Sequence, residues 1–84
     1  MTTDDNAKPH ARYAIIPHGD GWMINLSGNN YGPYASQTAA IRDAIDTAHK
    51  AGEGGYQAQV LIQGEDGRFA THWTHGKDAY PPMA

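Results

Sequence analysis

Five histidines are the residues of this chain best suited to chemistry near neutral pH: His10, His18, His49, His72 and His75. An imidazole changes charge between about pH 5 and 8 and is the commonest metal ligand. His72 and His75 stand three apart, with Trp73 between them. A zinc centre needs three or four ligands converging at about 2.0–2.3 Å. On a regular strand positions 72 and 75 face opposite ways, so the two converge only if the strand stops at Trp73. The chain has no Cys to add a thiolate, and no His-x-x-x-His in its helix-patterned stretch. The histidines therefore read as surface or structural groups, and neither a metal site nor a cofactor is expected.

The acidic residues read as turn chemistry. Asp20 and the Glu65-Asp66 pair stand among glycines, where a carboxylate bonds the local backbone. A calcium loop needs a longer array of oxygens at set spacing. The glycines do not form a phosphate loop, because no Lys-Ser or Lys-Thr follows them and Gly21 leads into a strand. Ser27, Ser36, His72 and Asp78 supply the side-chain types of a nucleophilic triad, but no elbow motif places them. A chain of 84 residues also leaves little room for a buried cleft of several hundred Å³. An enzyme is not expected.

The elements that would position these groups are legible from turn signals and periodicity. Gly19-Asp20-Gly21 and Gly64-Glu65-Asp66-Gly67 each stand between two apolar runs, the signature of β-hairpins. Residues 13–17 read as a first strand ended by Pro17, and residues 22–27 as a second. Alternation in the second puts Trp22, Ile24 and Leu26 on one face and Met23, Asn25 and Ser27 on the other. Gly28-Asn29-Asn30 signals another turn before a short strand over 31–35. Ser36 is the expected N-cap of a helix over 37–51, whose apolar stripe is Ile41, Ala44, Ile45 and Ala48, and Gly52 is its expected terminator. Residues 58–63 and 68–74 form the last hairpin, with Val60 and Ile62 on one face. In the final strand Phe69, Thr71 and Trp73 are expected to share a face, with Ala70 and His72 opposite.

The expected architecture is α+β: a small antiparallel sheet, β-β-β-α-β-β along the chain, with one helix packed on one face. Residues 1–11 read as a flexible tail, 12–76 as the single domain and 77–84 as a Pro-containing tail. Six basic and nine acidic residues give a net charge of −3, which disfavours nucleic acid as a partner. The polar N-terminus lacks the pattern of a signal peptide, and no apolar run approaches the ~20 residues of a membrane span. A cytoplasmic protein is expected.

The stretch from Tyr13 to Trp22, Tyr-Ala-Ile-Ile-Pro-His-Gly-Asp-Gly-Trp, resembles the opening of a small bacterial family, domain of unknown function 2188. Ser36-Gln-Thr-Ala-Ala-Ile41 is similar to that family's helix start, and Gly64-Glu-Asp-Gly-Arg68 with His75-Gly-Lys-Asp-Ala-Tyr-Pro-Pro82 is similar to its ending. Ala39 stands where the family has the Glu of a capping box, and Lys77 and Ala79 replace the Asn and Pro of its tail motif. The resemblance implies a fold and a bacterial origin, and no activity.

The helix covers one side of the sheet. The other is expected to carry Ala14, Ile16, Met23, Leu61, Ala70 and His72, too apolar to remain uncovered. The leading expectation is a non-catalytic binding or scaffolding module that forms a homodimer, or binds a protein partner, through Ile16, Met23, Leu61 and His72. The alternatives are a nucleic-acid-binding domain using Tyr31, Tyr34, Arg68, Trp73 and Lys77, and an antitoxin-like regulator. The latter rests on a meander-then-helix order similar to antitoxin domains of the HicB type.

Overall fold

A computed structural model describes residues 9–82 of the chain. Five strands and one helix follow in the order β1 (His10–His18), β2 (Gly21–Leu26), β3 (Asn29–Tyr34), α1 (Gln37–Glu53), β4 (Gln57–Gln63) and β5 (Phe69–Thr74). They form one sheet of order β3-β2-β1-β4-β5. The α+β class and the β-β-β-α-β-β sequence of elements are as expected.

The sheet is mixed rather than wholly antiparallel. β1 pairs antiparallel with β2 but parallel with β4, through registers such as Tyr13 with Val60 and Ile15 with Ile62. The helix accounts for this. It returns the chain to the end of the sheet where β1 begins, so β4 enters beside β1 in the same direction, and the Gln57 amide donates to the Pro9 carbonyl at 2.8 Å. β1 is thus the central strand. Its run Tyr13-Ala14-Ile15-Ile16 is apolar on both faces, as a strand flanked on both sides tends to be.

The first two hairpins turn through residues with positive φ. Gly19 (φ 58°) opens the two-residue loop between β1 and β2, while Ser27 (φ 52°) and Gly28 (φ 85°) form the loop between β2 and β3. Both connections have the primed geometry whose twist matches that of the strands. In the β4–β5 turn the Asp66 Oδ1 accepts from the Arg68 amide at 3.0 Å, the local role expected of it.

Ser36 caps α1: its Oγ accepts from the Ala39 amide at 3.1 Å. Ala40, Ala44, Ile45 and Ala48 are buried against the sheet, with Ile41 and Ala51 packed at the margin. Three alanines in that stripe let the helix axis approach the strands closely. Ile15 and Val60 are wholly buried beneath it, joined by Tyr13, Ile24, Ala58 and Trp73. The helix does not stop at Gly52. It runs through it to Glu53, and Gly54 is the C-cap, its amide donating to the carbonyls of Lys50 and Ala51.

Both domain boundaries also lie further out than the sequence suggests. Residues 1–8 are outside the described part of the chain, but His10 and Ala11 already belong to β1, and Ala11 is buried. At the other end, residues 77–82 are anchored: the Trp73 indole Nε1 donates to the Ala79 carbonyl at 2.9 Å, and the Tyr80 hydroxyl donates to Asp46 Oδ1 at 2.7 Å. A buried Trp needs an acceptor for its N–H, and the segment after β5 supplies it. The acceptor is backbone, so Ala79 serves as well as any other residue. Among the described residues no helix is long and apolar enough to cross a membrane.

Candidate functional site

The strand alternation that buries Ile15 and Val60 turns their neighbours to the uncovered side of the sheet. Ile16 lies opposite Met23 across β1 and β2, and Ala14 lies beside Leu61 across β1 and β4. Ala14, Ile16, Met23 and Leu61 are each half-buried by their neighbours alone. Three of the four residues expected to form a binding face therefore do share one.

His72 does not. The β4–β5 register slips between Val60 and Leu61, so that Val60 faces Trp73 while Leu61 faces Thr71. His72 is the extra residue of a bulge, which inverts the alternation beyond it. It lies on the helix side, lining a hollow with Ile41, Ile45, Asp46, Pro81 and Pro82. Ala70, opposite Ile62, moves to the helix side as well, whereas Phe69 and Thr71 turn to the open face. Phe69 is 50 % exposed there, and Trp73 is only 2 % exposed in the core. A bulge leaves no mark in a polar/apolar pattern this short, so the sequence offered no signal for the exchange of Phe69 for His72.

The same geometry separates the aromatic residues that a base-stacking surface would need. Trp73 is core. Tyr34 packs against the core and bonds Asp43 on α1, and its phenol is held above the ordinary range first by burial and then by that carboxylate. The open face instead forms a shallow hollow of about 710 Å³, lined by Arg12, Ala14, Asn25, Gln59, Leu61, Phe69 and Thr71 among others.

A second arrangement, missed in the sequence, lies at the C-terminal end of α1. His49 and Glu53 are one helical turn apart, and His49 Nε2 lies 3.9 Å from Glu53 Oε2. His75, just beyond β5, comes to the same place, its ring centroid 5.6 Å from that of His49. Gly52 makes this possible: a side chain at that position would collide with the His75 ring. Tyr80 stacks on His49 from the tail, with centroids 3.7 Å apart and planes within 6°. Its phenol is held above the usual range mainly by the hydrogen bond to Asp46. One donor atom from each of His49, Glu53 and His75 lies within 4.8 Å of the others. His49 Nδ1 is buried without a hydrogen-bond partner among the described residues. The spacing of His49 and Glu53 was readable as a helical i,i+4 pair. The arrival of His75 was not, because it depends on where β5 ends and on a glycine within the helix.

The family model described as an uncharacterized protein conserved in bacteria, domain of unknown function 2188, matches residues 13–75. No curated protein and no solved structure matches the chain.

Proposed function

The chain belongs to the bacterial family called domain of unknown function 2188, and on that footing we propose that it is a small non-catalytic binding module that pairs with a second copy of itself through the open face of its sheet. The observation that carries this reading is the distribution of charge. Arg12 is the one Asp, Glu, Lys or Arg in all five strands. A sheet face that remains in water ordinarily reads polar at its outward positions, and protein surfaces are ordinarily rich in charged side chains. This face carries Ala14, Ile16, Met23, Leu61 and Phe69, with Asn25, Gln59 and Thr71 as neutral polar company. Such a surface is self-complementary: two copies related by a two-fold axis meet without like-charge repulsion apart from Arg12 and the imidazole of His10 beside it, and the amide side chains can pair with one another.

The edges of the sheet suit pairing less well than its face. β3 is interrupted by Gly32-Pro33 and a register shift against β2, and β5 by the bulge at His72. Irregular edges resist addition of another strand. Five strands about 4.8 Å apart and about six residues long give a footprint of about 500 Å² per copy, about 1,000 Å² in total, which is the floor for a specific interface. An interface at that floor belongs to the weak, transient class.

Sedimentation velocity over low to high micromolar protein is the test. The parent is expected to shift from monomer to dimer, and Met23→Lys and Leu61→Lys to stay monomeric with unchanged circular dichroism. A parent that is monomeric throughout, or variants that dimerise like it, would overturn the reading. A salt-sensitive mobility shift of labelled single-stranded oligonucleotide, abolished by Arg12→Gln, would replace it with nucleic-acid binding.

A further inference from the structure

We infer that His49, Glu53 and His75 form a binding site for a divalent transition-metal ion of the zinc class, seated between the last turn of α1 and the residue that follows β5. Two imidazoles and one carboxylate are a donor set that zinc accepts, with a fourth position left for water. The three donor atoms already stand within 4.8 Å of one another. For bonds of about 2.0–2.1 Å, tetrahedral ligands are about 3.3 Å apart, so the donor spacing shortens by at most about 1.5 Å on closing around an ion.

Four further features fit a cation here. The imidazole of His49 has a buried Nδ1 without a hydrogen-bond partner among the described residues, an uncommon and unfavourable condition for a polar atom. The ring is held from outside the donor set: Tyr80 stacks flat against it and is itself tied to Asp46. Supports of this kind fix ligand orientation in metal sites. His75 is anchored by its amide, which donates to the Ala58 carbonyl at 3.0 Å, and its ring rests on Gly52. Finally, Glu53 occupies the negative end of the helix dipole, where a carboxylate is unfavourable and a cation is favourable. A bound ion turns that placement from a cost into a gain. The Glu53 side chain is 66 % exposed, and His75 also lines a cleft of about 540 Å³ shared with His10 and Arg12, so an ion and its water have a route in from solvent. None of the three donors lines the hollow of the open sheet face, and the inference does not rest on the dimer.

Isothermal titration of the metal-free full chain with zinc chloride tests the inference, with cobalt chloride as a spectroscopic probe. One equivalent of zinc is expected to bind and raise the melting temperature, magnesium is expected to do neither, and cobalt is expected to give the visible absorption of a tetrahedral ion. Glu53→Gln, on an exposed side chain, keeps the fold and is expected to weaken zinc at least about tenfold, as are His49→Gln and His75→Gln. His72→Gln, which removes a histidine outside the donor set, is expected to bind like the parent. Absence of saturable zinc binding, equal loss in His72→Gln, or unchanged binding in both Glu53→Gln and His75→Gln would overturn the site.

Discussion

Ile15 and Ile16 are adjacent, identical in type and opposite in fate. Ile15 faces the helix and is wholly buried, while Ile16 faces the uncovered side and is half-buried by other side chains of the same sheet. Both faces of these strands carry apolar residues, though the helix side carries more of them. They differ in whether the chain has an element left to cover them. With one helix of 17 residues, this sequence closes one side and leaves on the other a surface with Arg12 as its one Asp, Glu, Lys or Arg. Burial is thus set by the count of covering elements as much as by the hydrophobicity of what is covered.

Removing Trp73 is the hardest blow to the closed side. Trp73→Ala is expected to cost about 3–5 kcal/mol, because it empties a core site and strips the tail of its indole anchor at Ala79. For a domain of this size that is most of the folding free energy, and urea unfolding should show a much reduced midpoint or no cooperative transition. The paired substitutions Ile15→Ala and Ile16→Ala measure the difference between faces most directly. The first is expected to cost about 2–5 kcal/mol, and the second, on monomeric protein, less than about 1.5 kcal/mol, in proportion to the smaller area it removes from contact. Equal losses in the two would erase the distinction between the faces.

The sequence carried the distinction only part of the way. Alternation in β2 and β4 correctly paired Ile24 and Val60 with the helix stripe of Ala44, Ile45 and Ala48, because in those strands the period of two is unbroken. It failed in β5, where one extra residue at His72 exchanges the faces of everything before it. It was silent on the parallel pairing of β1 with β4, since a strand's own pattern does not name its neighbour. The doubly apolar run in β1 was the available hint of a central position. At the candidate sites, Ile16, Met23 and Leu61 were legible as a face. The His49–Glu53–His75 cluster was not, because a contact between a helix end and a strand end is a property of the assembled fold.

Smaller effects refine the picture at the margins. Ser27 holds a positive φ that side chains other than Asn and Gly adopt at some cost, so Ser27→Asn is expected to stabilise the β2–β3 hairpin by about 0.5–1 kcal/mol, read as a raised melting temperature. The tail on the closed side should show itself in alkali. The hydrogen bond to Asp46 raises the folded-state pKa of Tyr80 above its unfolded value, so its contribution is present in full below about pH 10 and is lost as pH rises through the folded pKa. Tyr34 and Tyr13 are raised as well, both chiefly by burial, and act in the same direction. The parent should therefore lose stability above about pH 10, and Tyr80→Phe should lose less of it over the same interval. Chemical denaturation at neutral and alkaline pH reads this out, and coincident profiles would count against a docked tail.

Gly52 has a consequence for reading relatives of this chain. Because any β-carbon there would occupy the space of the His75 ring, the absence of a side chain at one helical position is a condition for the whole meeting of helix end, strand end and tail. A relative with Ala or a larger residue at the equivalent place must seat its counterpart of His75 elsewhere, even if all three donors are retained. One letter of the sequence thus works as a diagnostic that the donor letters themselves do not supply.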